Sequence, residues 1–120
     1  RDRSPSRGLG DVYKRQIADH LRRYGVVYKY EKPLELTVHG RRVTFYPDFT
    51  VMNSRTGRIY YLEHFGMMDN EDYYNAVLRK LDAFEMNQLL IGRDVLLLHE
   101  SSSAPLNTRV LDCYIQEYLV

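Results

Sequence analysis

Residues 43–51 and 58–65 show the alternation of apolar and polar side chains expected of strands, and Asn53-Ser54-Arg55-Thr56-Gly57 between them is rich in turn formers. The two runs are expected to form a hairpin. If Asn53 pairs with Arg58 across a four-residue loop, the same register sets Asp48 opposite Glu63. Upstream, Ile17, Ala18, Leu21 and Tyr24 share one face of a helix that Gly25 stops. Residues 26–30 and 34–38 are strand-like, with Pro33 interrupting them, and His39-Gly40-Arg41 reads as a turn into the 43–51 strand, so that a β meander follows the helix. Residues 70–88 form the longest helical segment, with Asn70 as its cap. Residues 95–99 make a last buried strand, and Asn107-Thr108 caps a closing helix through Tyr118. The predicted order is α-β-β-β-β-α-β-α, an α/β (α+β) domain.

The hairpin register carries the chemistry. Directly opposed residues have Cβ atoms roughly 5 Å apart, and two carboxylates at that separation repel unless a cation lies between them. Hard oxygen ligands of this kind suit Mg²⁺ or Mn²⁺. Taken alone, Asp48 and Glu63 read equally as two surface acids. The long helix adds a second sign, because Tyr73, Val77, Lys80 and Phe84 recur at spacings of four, three and four and so share a core-facing stripe. A lysine inside an apolar stripe either snorkels to water from its edge or pairs with a buried carboxylate. The Asp48/Glu63 pair supplies that partner if the helix packs over the hairpin.

Composition narrows the choice of partners. A chain of 120 residues supports one domain with one core. Its single cysteine, Cys113, excludes an internal disulfide and any cysteine-based metal cluster, which fits a reducing cytoplasm. No apolar run reaches the length of a membrane span. Ser6-Arg7-Gly8-Leu9-Gly10-Asp11-Val12-Tyr13-Lys14-Arg15-Gln16 resembles the translation of a transposase-based sequencing adaptor. Residues 1–16 are therefore expected to be artefactual, extending the following helix by accident, and 17–120 to be a single domain truncated at its N-terminus. Residues 1–16 hold five Lys/Arg and two acids, which leaves twelve basic against fourteen acidic residues in the remainder, near −2 where the whole chain is +1. Strong positive charge, the footprint of tight nucleic-acid binding, is missing. Contact with DNA or RNA would rest on local patches such as Arg22-Arg23 or Arg41-Arg42.

Glu31, Pro47-Asp48-Phe49, Glu63-His64-Phe65-Gly66 and Lys80 together resemble the PD-(D/E)XK nuclease superfamily, with its restriction-endonuclease-like mixed sheet flanked by helices. The stretches Tyr30-Glu31-Lys32-Pro33-Leu34, Tyr46-Pro47-Asp48-Phe49-Thr50 and Leu62-Glu63-His64-Phe65-Gly66-Met67-Met68-Asp69, with the Tyr73/Lys80 spacing, resemble a bacterial branch of it that is also seen appended to helicases. The resemblance implies that Asp48 and Glu63 bind Mg²⁺ or Mn²⁺ for hydrolysis of DNA phosphodiester bonds, with RNA left open, no membrane, and a helicase or other domain as partner. The superfamily lysine stands two residues after the second acid, where this chain has Phe65, and Lys80 on the neighbouring helix is its substitute. Related sequences are similar to Ser-Glu, two residues, then Ile-Ala. Aligned on Ile17-Ala18, that metal-site glutamate falls at position 14, occupied here by Lys14. Either the chain is a nuclease disabled at this position, with Lys14 standing as a tethered cation in the metal site, or it is a nuclease-derived module that binds DNA or protein.

Several residues carry two readings. His64 is a proton carrier or ligand near neutral pH, but strand alternation faces it away from Glu63, which favours a structural hydrogen bond. Glu31 is an accessory site residue, or it orients Lys32 or an arginine. Tyr73 opens the lysine stripe. Met67 and Met68 read as core or lid packing. Of eleven tyrosines, most are explained by sheet packing, and base stacking is the alternative. A third view takes the whole chain as a structural α/β domain in which Asp48 and Glu63 are incidental. A stability gain on Asp48→Asn without loss of metal binding would favour it.

Overall fold

The computed structural model of the chain describes residues 7–66, 70–100, 103 and 105–120, with side chains from residue 12 onward. Helix α1 (Arg7–Arg23) leads into strands β1 (Val27–Tyr30), β2 (Leu34–Val38), β3 (Arg41–Phe45), β4 (Phe49–Met52) and β5 (Ile59–Phe65). Then follow α2 (Glu71–Met86), β6 (Val95–His99), α3 (Thr108–Tyr114) and a π-helical turn (Ile115–Leu119). Met67 and Met68, expected in the core or a lid, lie outside the described residues together with Asp69.

The main sheet has the order β1-β4-β5-β6. Strands β1, β4 and β5 are antiparallel neighbours, while β6 runs parallel to β5 and makes the sheet mixed. One face is covered by α1, α3 and the π-helical turn, which bring Ile17, Leu21, Leu111 and Ile115 against Phe49, Leu62 and Leu96. On the other face α2 and the separate β2–β3 hairpin pack Ala83 and Phe84 with Leu36 and Val95. Each fully buried large apolar side chain contributes roughly 1.5–3 kcal/mol, and of these residues Ile17, Leu21 and Phe84 are ones that helical spacing had placed on an inward face. Among the described residues no helix is long and apolar enough to cross a membrane.

The mixed α and β composition agrees with the sequence, but the meander does not. Residues 43–51 are two strands in different sheets: β3 pairs only with β2, and β4 joins the main sheet between β1 and β5. Five strands therefore precede α2 where four were expected. The break falls at Tyr46-Pro47-Asp48, where Pro47 has no N–H to give a ladder. At the other end of the inserted hairpin, His39 (φ 50°) and Gly40 (φ 79°) turn β2 into β3 across a two-residue loop, the mirror-image geometry that hairpins favour.

The β4–β5 hairpin has the expected register. Phe49 faces Leu62 and Val51 faces Tyr60, and the Asn53 N–H donates to the Arg58 carbonyl at 3.0 Å. Asn53 is buried and holds the turn from inside: its Oδ1 accepts from the N–H groups of Arg55 and Thr56, and its Nδ2 donates to the Tyr118 carbonyl. One residue beyond the Phe49–Leu62 pair, this register sets Asp48 against Glu63.

Candidate active site

Asp48 enters the site from the short connector ahead of β4 and Glu63 from the middle of β5. Both are buried, Glu63 completely. Their orientation follows from strand alternation. Tyr61 and Glu63 face α2, whereas Leu62 and His64 face α1. Asp48 is fixed from the sheet, since its Oδ2 accepts the His64 backbone N–H at 2.7 Å. The Asp48 carbonyl accepts the Glu31 N–H at 3.1 Å, and Glu31 takes a left-handed φ of 52° where the chain leaves β1.

Two ammonium groups converge on the acids from opposite faces of the sheet. Lys80, on the inward stripe of α2, places Nζ 2.8 Å from Glu63 Oε1 and donates also to the Tyr46 carbonyl at 3.3 Å. Val77 and Phe84 of that stripe are buried and Lys80 is half-buried. The helix starts where the sequence places it, because the Asn70 side chain accepts the Tyr73 N–H and caps the first turn. Lys14, on α1, brings Nζ to 3.2 Å from Asp48 Oδ1. Tyr73, half-buried, closes the space between the groups, its hydroxyl accepting the Gly66 N–H at 3.3 Å.

The electrostatics follow from burial and pairing. Burial pushes the Glu63 carboxyl up to about 8, opposed by the Lys80 ammonium and helped by the negative charge of Asp48. Burial also works against the Lys80 ammonium, but Glu63 and Asp48 outweigh it and hold its pKa above the ordinary lysine value. Lys14 behaves likewise, burial being outweighed by Asp48. Both lysines are therefore cations at neutral pH. Glu63 Oε2 is buried and has no hydrogen-bond partner among the described residues, a costly arrangement for a carboxylate oxygen unless something else meets it.

His64 stands apart from this cluster, as alternation requires. Its ring faces α1, with the Tyr13 ring 5.8 Å away, and its Nε2 lies 3.4 Å from Glu100 Oε1. Among the described residues neither ring nitrogen has a hydrogen-bond partner, so the structural hydrogen bond expected of the side chain is not made there, and the backbone N–H to Asp48 stands in its place. Burial pushes the imidazole down to about 4, beyond the opposing pull of Asp48, and it is neutral at physiological pH. Burial raises the neighbouring Glu100 carboxyl as well.

Asp48, Glu63, Lys80, Tyr73 and Lys14 are thus brought together, with Glu31 joined through its backbone and His64 turned to the far side of the sheet. Among the described residues no three His, Cys, Asp or Glu side chains form a group able to hold a metal ion. Among those residues Asp48 and Glu63 are two hard donors without a third. Three participants escaped the sequence reading. The Tyr46 carbonyl faces Lys80 from the irregular Tyr46-Pro47-Asp48 connector between β3 and β4. Tyr13 and Glu100 meet His64 through helix packing and the parallel β5–β6 register, for which Glu100, directly after the 95–99 strand, was the one available sign. No family model, curated protein or solved structure matches the chain.

Proposed function

We propose that this domain is a Mg²⁺-dependent, nuclease-like phosphodiesterase acting on DNA, held shut in the present chain by Lys14. The observation that carries the reading is the Lys80–Glu63 pair at 2.8 Å beside Asp48, a cation and two carboxylates at the end of a mixed sheet. Asp48 and Glu63 are oxygen donors of the type that binds Mg²⁺ or Mn²⁺, and the unpartnered Glu63 Oε2 leaves one of them with unmet capacity. Lys14 occupies the Asp48 oxygen that such an ion would need. The donor set is therefore suited to a divalent ion once a carboxylate replaces this lysine.

When bound, Mg²⁺ supplies Lewis-acid polarisation of a phosphate oxygen and lowers the pKa of water. The chain's own residues do the rest. The His64 N–H orients Asp48, and Tyr73 with Gly66 fixes the start of α2 against the end of β5. The Tyr46 carbonyl aims the Lys80 ammonium across the acids, where it offsets negative charge building on a phosphoryl group. Burial keeps water from screening that charge.

The reading is tested by incubating DNA with this chain, with Lys14→Glu and with Lys14→Glu/Lys80→Met in Mg²⁺ or Mn²⁺. Cleavage appearing on the first substitution and falling at least 100-fold with the second supports it; no cleavage by the folded Lys14→Glu protein rejects it. A second reading, an inactive nuclease-derived module that binds DNA or protein, is favoured by the Lys14–Asp48 pair itself, which neutralises the site without metal. Metal-independent binding without cleavage in Lys14→Glu selects it.

A further inference from the structure

Positions 96, 98 and 100 alternate onto the face of the sheet that α1 covers. The first two are core leucines, and the third is Glu100, buried like them. A buried carboxyl costs free energy unless polar groups meet it, and Glu100 Oε2 has no hydrogen-bond partner among the described residues. A third leucine would avoid that cost. The reason for an acid at this position therefore lies in what it touches.

Glu100 grips the end of β5 twice. Its backbone N–H donates to the Phe65 carbonyl at 3.0 Å, one step past the Phe65–His99 pair that ends the β5–β6 register. Its Oε1 lies 3.4 Å from His64 Nε2, and the two side chains are 5 % and 1 % exposed. On the opposite edge of the same strand, the His64 N–H donates to Asp48 Oδ2 at 2.7 Å. The end of β5 is thus held from the β6 side and presents its hydrogen bond to Asp48 on the other. Asp48 has its second oxygen, Oδ1, on Lys14. The His64 peptide therefore sets how the Asp48 carboxyl is rotated and which oxygen is offered outward, as partners one step behind a ligand commonly do.

On the footing of the phosphodiesterase reading, we infer that Glu100 is a positioning residue of the carboxylate site: through His64 it fixes the peptide N–H that holds Asp48 Oδ2, and so aims Oδ1 at the place where a cation is met. The test places Glu100→Leu, Glu100→Asp and Glu100→Gln in this chain and in Lys14→Glu. In the present chain without metal, the His64 amide proton, on a short bond to a carboxylate, is expected far downfield in an amide proton–nitrogen correlation spectrum. Glu100→Leu removes the grip and Glu100→Asp withdraws it, and both are expected to move that signal upfield. Glu100→Gln keeps it, because an amide oxygen can face the same ring nitrogen. The urea midpoint of Glu100→Leu is expected to be no lower than that of the parent, since a buried acid is gone. In Lys14→Glu, Glu100→Leu is expected to weaken Mg²⁺ binding about ten-fold, with Glu100→Gln restoring it. A His64 amide unmoved in both the leucine and aspartate variants overturns the inference, as do equal losses in the leucine and glutamine variants. Absence of metal binding by Lys14→Glu would instead reject the phosphodiesterase reading, while the amide shift, read without metal, still decides whether Glu100 positions Asp48.

Discussion

Lys14 Nζ lies 3.2 Å from Asp48 Oδ1, so that a helix outside the sheet delivers a cation to a carboxylate inside it. Burial alone would favour a neutral Lys14 side chain, and Asp48 reverses this. The pair sets a covalently tethered positive charge beside Asp48, whose negative charge otherwise works against ionisation of Glu63.

The Lys80–Glu63 pair makes a pH-dependent contribution to stability. Removing the ammonium by Lys80→Met leaves a fully buried carboxyl without its counter-charge, which costs about 3 kcal/mol when that carboxyl must ionise. Glu63 has its folded pKa raised from 4.5 to about 8, so the folded state holds more protons in that window and stability falls as pH rises through it. Urea unfolding should therefore show a larger loss for Lys80→Met at pH 8.5 than at pH 5. Equal losses at the two pH values would mean that Glu63 is not the group Lys80 serves.

His64 acts in the opposite direction. Its folded pKa is depressed from 6.5 to about 4 by burial, so its contribution is fully present above pH 6.5 and is lost as pH falls towards 4, by up to about 3 kcal/mol. Glu100, with its carboxyl raised by burial, gives a slope of the reverse sign. Thermal melts of a His64→Leu variant between pH 4 and 7 should show a flatter acid limb than the parent chain. An unchanged limb would place the acid sensitivity elsewhere.

Asn53 sets the register that opposes the two acids. Substituting alanine removes two acceptor contacts in the turn and the bond to the Tyr118 carbonyl, leaving partly buried backbone groups unmet. The expected cost is about 2 kcal/mol, measured by urea unfolding. A change below about 0.5 kcal/mol would show that the β4–β5 ladder alone fixes the turn.

The capped start of α2 makes a smaller, separable prediction. Asn70→Ala deletes the acceptor for the Tyr73 N–H and should destabilise the protein by about 1 kcal/mol, while Asn70→Asp should be close to neutral. Thermal unfolding of the two variants distinguishes a capping role from general surface tolerance.

The parts of this structure that were legible in the sequence are those set locally. Asn53 to Gly57 encode their turn, and the turn fixes Asp48 against Glu63. Asn70 marks the start of α2, and the four-three-four spacing from Tyr73 to Phe84 put Lys80 on the inward face with the Asp48/Glu63 pair as its candidate partner. Non-local pairings were less accessible. Strand β1 skips the β2–β3 hairpin to reach β4, and local alternation is identical whichever neighbour a strand chooses. Pro47 was visible, but its effect, a change of sheet within one apparent strand, depends on β1 claiming the edge of β4. The Glu100 contact with His64 required the parallel register of β5 and β6, joined through a helix.

Isothermal titration of Mg²⁺ and Mn²⁺ into this chain, Lys14→Glu and Lys14→Glu/Asp48→Ala addresses the central claim most directly. The account predicts no site-specific binding to the chain as it stands, a single site in Lys14→Glu, and loss of that site when Asp48 is also removed. Equal metal binding by the present chain and Lys14→Glu, or none by a folded Lys14→Glu protein, would contradict it.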